Sequence, residues 1–318
     1  MINFHKTDSV HKTAQSHRKK LIKNATVFDG HSSGLAQGKK IVIEDDIVTE
    51  ITADEVSEEN FDEVFDGTGM VAMPGMTDAH VHMGCLFAKG EFPVDYATVL
   101  TVAKCKDALM AGFTTFRDAG SVSEGLKLAF DEGVLPGPRI YPCGAYISQT
   151  CGHGDSEYAH TYRDIQYRHP SSTVLADGVP EIIRAVREQF YRGASHIKLM
   201  ATEILNRHED IRLLFGTDMM ITGPDYQVEQ SEDIRYYEKR FGTMRALRAL
   251  TGTANEVFAL TTYQNPYPKG KIGVLEAGSY ADLLLVDGDP TKSVSVLADT
   301  DHLRLIMKGG TVYKNTLC

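Results

Sequence analysis

Residues 72–84 read AMPGMTDAHVHMG, and the rest of the chain is interpreted from this stretch. An apolar run (Val71, Ala72, Met73) meets Pro74-Gly75, and Asp78, His80 and His82 follow within a few residues. In a strand successive side chains alternate sides, so His80 and His82 project together while Val81 faces the other way. Two imidazoles side by side at a strand end are a ready pair of metal ligands, because neutral imidazole suits zinc and similar ions. A bare His-x-His is equally compatible with two exposed histidines on a half-buried strand. The surrounding sequence has to decide.

Upstream, from Leu21, the texture is that of short strands. LIKNATVFDG alternates loosely and ends in an Asp-Gly turn, and KKIVIEDDIVTEI reads as strands 40–44 and 47–51 joined at Asp45-Asp46. Segments 64–66 and 70–73 complete a small antiparallel β unit. The far end matches it: KIGVLEAGSYADLLLVDGDP gives strands near 272–274 and 282–286, and LRLIMKGGTVYKN a hairpin about Gly309-Gly310. Two β-rich ends flanking an α/β middle imply one composite β domain, residues 21–72 with 262–318. Residues 1–20 are polar, lack the apolar core of a secretory signal, and read as a disordered tail.

Between the two ends, strands alternate with helices. Residues 94–111 carry helical spacing closed by Gly112, GFTTFRDAG is a β-branched strand ending at Asp118, and 121–132 forms a second helix. RIYPCGAYIS reads as a third strand, followed by the Gly- and His-bearing loop SQTCGHGDSEYAH. Residues 177–192 form a helix with an Asp cap, Pro180 in the first turn, and Ile182, Ile183, Val186 and Phe190 as its apolar face. HIKLMA is a fourth strand, 211–215 a fifth ending in Gly-Thr-Asp, and 231–260 a helical block broken near Gly242 and Gly252. Polar residues at the ends of strands that alternate with helices point to a parallel sheet or (β/α) barrel spanning 73–261.

Composition narrows the function classes. The net charge of -10 across 318 residues, 33 basic against 43 acidic, argues against nucleic acid as a partner. No stretch is long and apolar enough for a membrane span. The five cysteines (Cys85, Cys105, Cys143, Cys151, Cys318) are scattered without a Cys-x-x-Cys, so a reducing, cytoplasmic setting is expected.

With these elements in hand, MPGMTDAHVHMG, AGFTTFRDAGS, ISQTCGHGD, HIKLMAT, LLFGTDMM, MRALRALTGTANEVFAL and GKIGVLEAGSYADLLLVDGDP together resemble the successive landmarks of the amidohydrolase superfamily. The branch they resemble includes imidazolonepropionase-like and prolidase-like metallohydrolases, and the resemblance runs from about Leu21 to Asn315. It implies a (β/α)8 TIM-type barrel with a small composite β-sandwich domain. It also implies one or two divalent metals, usually zinc, that supply hydroxide to attack a carbon–nitrogen bond in a small amide, cyclic amide or dipeptide-like substrate. Carried over residue by residue, His80 and His82 match the first-strand ligands. Lys198 matches the lysine that is carboxylated to bridge two metals. Asp218 matches the last-strand carboxylate that binds metal and shuttles a proton. His153 in GHGD matches a loop position at the substrate mouth.

One departure stands out. The family takes two further histidines from its fifth and sixth strands, yet only ATEILNRHEDIRL separates HIKLMA from the last strand, with His208 its one histidine. At about 30 residues per βα unit, units five to seven are missing and the barrel is incomplete. His208, in a polar segment, reads as a surface residue, His196 as a core or supporting residue, and Asp118 as a carboxylate bonding loop amides. Two rival readings follow: a non-catalytic remnant acting as scaffold or binding protein, and a homo-oligomer whose swapped half-sites complete each other.

Overall fold

Asp45 takes up the left-handed conformation at φ 55°, and that residue turns the second and third strands back on each other. The structure, a computed structural model, describes residues 18–83, 94–120, 124–152, 154–155, 173–199, 212–220 and 226–317. Its elements begin with β1 (Lys19–Val27), β2 (Ala36–Glu44), β3 (Ile47–Thr52), β4 (Glu63–Asp66) and β5 (Val71–Pro74), then β6 (Met76–His82), α1 (Val94–Met110), β7 (Phe113–Asp118), α2 (Glu124–Asp131) and β8 (Arg139–Tyr141). Next come β9 (Tyr146–Ser148), β10 (Thr173–Leu175), α3 (Gly178–Tyr191), β11 (Met219–Met220), α4 (Tyr226–Phe241), α5 (Thr243–Leu250) and α6 (Gly252–Phe258). After the 3-10 segment Ala259–Gln264, β12 (Leu283–Val286), β13 (Leu303–Lys308) and β14 (Thr311–Asn315) close the chain.

Both ends of the chain feed one eight-stranded sheet, ordered β14-β13-β12-β5-β1-β2-β3 with β4 also beside β1. It is mixed rather than antiparallel as expected, because β4 and β5 run parallel to β1. Strand β12 is apolar at every position and buried throughout. Its Leu284 and Val286 pack with Phe113, Leu109 and Leu247 on one side, while Leu283 and Leu285 pack with Ile22, Ile41 and Met307 on the other. A strand covered on both faces has no reason to alternate. The first strand opens at Lys19, paired with Glu44, inside the stretch read from sequence as tail.

The α/β middle is built on a parallel sheet ordered β11-β6-β7-β8. A second parallel pair, β9 with β10, reaches Leu199 through a parallel bridge at Ile147. Val81 of β6 and Phe116 of β7 face outward into a core with Cys105 and Leu109 of α1, Ile234 of α4 and Leu250 of α5. His80, His82, Thr115 and Arg117 are left to the opposite, interior side.

Several sequence expectations need correction. RIYPCGAYIS is two strands, because Pro142 has no N–H for a ladder and Gly144 sits at φ 67°. The Pro142 carbonyl accepts instead from the Ser195 amide at 2.7 Å. Among the described residues HIKLMA pairs through Leu199 alone, and 212–218 form no regular strand; the ladder begins at Met219. Residues 272–274 are a bend with Gly273 at φ 78°, not a strand. Helix α3 buries Ala185 and Gln189 rather than Ile182 and Ile183. The cause is polar: Gln189 Oε1 accepts from the Ala145 amide at 2.9 Å, so that face turns inward. Asp177 precedes α3, but its carboxylate accepts from Thr150 N and Oγ1; Glu181 Oε2 accepts from the Asp177 amide at 2.8 Å.

Among the described residues no helix is long and apolar enough to cross a membrane. His153, His208, the interval 200–211 and residues 1–17 of the expected tail lie outside the described residues.

Candidate metal centre

Strand β6 ends with His80 and His82 projecting from one side, their ring centroids 5.5 Å apart. Val81 between them is fully buried in the core, which anchors the strand end and fixes the side from which both imidazoles emerge. The segment leading to β11 runs alongside: the Ala79 amide donates to the Phe215 carbonyl at 2.8 Å, and the Asp218 amide to the His80 carbonyl at 2.7 Å. Asp218 holds a left-handed backbone at φ 55°, an uncommon state for a residue other than glycine and one that concentrates at functional sites. Gly216 permits this approach, since a Cβ there would lie 2.7 Å from the His80 Cβ.

The side chains converge. Asp218 Oδ1 lies 2.9 Å from His80 Nε2 and 3.2 Å from His82 Nε2. Lys198 Nζ, from the end of the segment that bridges β9, lies 3.0 Å from His80 Nε2. One donor atom from each of His80, His82 and Asp218 falls within 4.8 Å of the others. The expected residues His80, His82, Lys198 and Asp218 thus come together from three separate segments, and His153 is not among the described residues.

Charge suits a cation here. Burial, reinforced by the Lys198 ammonium and opposed by Asp218, pulls the His80 pKa down to about 4. The imidazole is therefore neutral near pH 7, with a lone pair to offer. Two imidazoles and a carboxylate form a nitrogen–oxygen donor set appropriate to zinc or a related divalent ion. A Lys198 ammonium would compete for the His80 lone pair, whereas a carboxylated lysine would add anionic oxygens.

Asp78 has a part in the site that the sequence reading did not assign. Its buried carboxylate accepts from the His80 amide (3.2 Å), Thr217 N (3.3 Å), Thr217 Oγ1 (2.9 Å) and Gln230 Nε2 (3.2 Å). It joins the histidine strand to the Gly-Thr-Asp segment and to α4, and burial raises its pKa to about 6. Its place two residues before His80 was the available signal; its partners, 139 and 152 residues away, left none. His196 sits deeper, with Nε2 3.0 Å from the Asp118 carbonyl and Nδ1 3.0 Å from Ser195 Oγ, and burial lowers its pKa to about 3. Asp118 accepts from the Met83 and Gly120 amides, the loop-bonding role read from the sequence.

Residues 71–211 match the model of the Amidohydrolase family. The chain is 34% identical over 152 residues to the ochratoxinase of Aspergillus niger, a match covering 42% of this chain and 31% of that protein. It thus spans about a third of the length of the curated relatives it matches. Among solved structures it is similar to a prolidase complexed with N-methylphosphonate-L-proline (TM-score 0.80, 22% identity, 93% of this chain and 100% of that one). The A. niger ochratoxinase superposes with a TM-score of 0.75 at 19% identity, over 95% of this chain and 96% of that chain. The fold is that of the amidohydrolases in these solved structures, and residues 71–211 are similar to the Amidohydrolase family.

Proposed function

We propose that the chain is a metal-dependent hydrolase of carbon–nitrogen bonds in small amides, cyclic amides or dipeptide-like molecules. One observation carries this reading: His80, His82, Lys198 and Asp218, distant in sequence, meet at the C-terminal end of parallel strands. The C-terminal face is where (β/α) barrels keep their chemistry. The wall is taken as an incomplete barrel in which β11 lies directly against β6, and the eight-stranded sheet as its composite β-sandwich domain. Kinship with proteins named ochratoxinase and prolidase supports an amide-type substrate.

His80 and His82 would hold the metal through Nε2 and Asp218 through Oδ1, with Lys198, carboxylated, as an anionic oxygen ligand. Zinc is the ion that the donor set suits best. When bound, it supplies a Lewis acid for the scissile carbonyl and lowers the pKa of water. Asp218 has 69% of its side chain exposed, so its carboxylate can take a proton from the attacking water and return it to the leaving nitrogen. Asp78 holds Thr217, and through it the backbone of Asp218, at the required distance from β6.

The rival reading, a non-catalytic remnant, is not favoured, because nothing in a scaffold requires a carboxylate and two imidazoles around one point. The test is direct. Full-length protein dialysed against zinc should retain it stoichiometrically and hydrolyse N-acyl amino acids or dipeptides, and Asp218→Asn should abolish turnover while leaving the fold intact. Metal-free protein after dialysis, or an Asp218→Asn variant as active as wild type, would overturn the proposal.

A further inference from the structure

Arg117 lies on the interior side of β7, below the histidine cluster, at the wall of a second feature of the fold. A cavity of about 380 Å³ opens there, lined by Arg117, Tyr141, Phe190, His196, Phe258 and Leu260 among others, and it shares no residue with the His80–Asp218 cluster. Its size falls at the lower end of small-molecule sites, about 300–1,000 Å³. Tyr141 and Phe258, both in the lining, stack with centroids 3.8 Å apart at 8°. The rim is the 3-10 segment Ala259–Gln264, kinked at Thr262 with φ 48° and ψ -120°. A non-glycine residue held in so rare a conformation marks a segment whose shape is imposed by its surroundings.

The polar groups of this cavity are unevenly satisfied. Ser195 Oγ bonds the Pro142 carbonyl and His196, and His196 has partners at both nitrogens. Arg117 donates from Nη1 to the Ala79 carbonyl at 3.3 Å and, among the described residues, forms no ion pair. Asp118 beside it is turned toward the Met83 and Gly120 amides. A guanidinium has five N–H donors in a planar fork suited to a carboxylate; burial disfavours the Arg117 charge and nearby Asp118 favours it without a hydrogen bond to it, so donors of the fork remain for an anionic ligand.

We propose that this cavity binds small monocarboxylates with an apolar body, the carboxylate on Arg117 and the body against Tyr141, Phe190 and Phe258. Arg117, the one Lys or Arg among the lining residues, matches one negative charge, and Phe190, Val257, Phe258 and Leu260 offer apolar contact to the body. A phosphate dianion would call for a second charged donor, and the lining has no Lys or Arg besides Arg117. The ligand site shares no lining residue with the candidate metal centre, although Arg117 acts electrostatically on His80, and binding there does not depend on hydrolysis.

Isothermal titration of the full chain with phenylacetate, phenylacetamide and inorganic phosphate tests the assignment. Phenylacetate should bind, with phenylacetamide and phosphate each weaker by roughly tenfold or more, the usual scale for losing a charge-assisted hydrogen bond. Arg117→Gln should weaken phenylacetate by a similar factor. Leu260→Glu, at a rim position that is 67% exposed and so tolerant of change, should weaken it by placing a like charge at the mouth, whether or not the Arg117 variant folds. His82→Ala should leave binding unchanged. Equal binding of the amide or of phosphate, wild-type affinity in Leu260→Glu, or loss of binding in His82→Ala would each overturn the proposal.

Discussion

Gly216→Ala adds one methyl group next to the candidate metal centre, and the structure sets the size of its effect. The new Cβ would lie 2.7 Å from the His80 Cβ and 3.1 Å from the His80 nitrogen. Carbon atoms pack at about 3.5–4.0 Å, so about 1 Å of separation has to be created. The obstacle is not the loose end of a side chain. The His80 carbonyl is bonded to the Asp218 amide, and the neighbouring Ala79 amide to Phe215, so β6 and the segment before β11 have to part. Gly216 is outside the left-handed region, which makes the effect steric rather than conformational. Overpacking of this kind costs about 1–3 kcal/mol, or about 5- to 150-fold in an equilibrium constant. The strain falls on the contacts of 2.9 and 3.2 Å that bring Asp218 to the two histidines. Zinc affinity, read by competition with a chromophoric chelator, should therefore fall by about tenfold or more, and urea unfolding should show a loss of about 1–3 kcal/mol. A Gly216→Ala protein that binds zinc as wild type does would refute the claim that this approach positions the ligands.

Two further outcomes concern the joint between β8 and the eight-stranded sheet. Asp282 is buried and accepts from Arg139 Nε (2.7 Å), Arg139 Nη2 (3.1 Å) and the Gly309 amide (2.6 Å), so Asp282→Ala strands a buried guanidinium; urea unfolding should register a loss of about 3–5 kcal/mol. Lys308, bonded to the Gly137 carbonyl, has its pKa lowered to about 8 by burial and by Arg139, with Asp282 opposing. The native state then binds fewer protons than the unfolded state between the lowered value and the ordinary 10.5, so stability rises with pH through that window. Wild type should gain about 2–3 kcal/mol relative to Lys308→Met between about pH 7 and pH 10, and a parallel pH profile for the two proteins would contradict this.

Features encoded by near neighbours were legible in the sequence. The period of two along 78–82 is enough to send His80 and His82 from the same side, whatever packs behind them. The Asp45-Asp46 and Gly309-Gly310 turns are similarly local, as are the breaks near Gly242 and Gly252 in the helical block. The parallel arrangement of β4 and β5 beside β1 was not legible, because strand direction is set by long connections rather than by alternation. Nor was the orientation of α3: its isoleucines look like a core face, but Gln189 is needed inside to satisfy the Ala145 amide.

For the site, the sequence by itself nominated candidate ligand residues and determined that two of them share a strand face. Only the tertiary structure decided that Asp218 lies 2.9 Å from His80, that Lys198 reaches the same nitrogen, and that Asp78 ties Thr217 and Gln230 to the histidine strand. Side-chain direction along a strand follows from backbone geometry over two residues. The distance between His82 and Asp218, 136 positions apart, follows from how sheet and helices pack, and no local pattern carries that information.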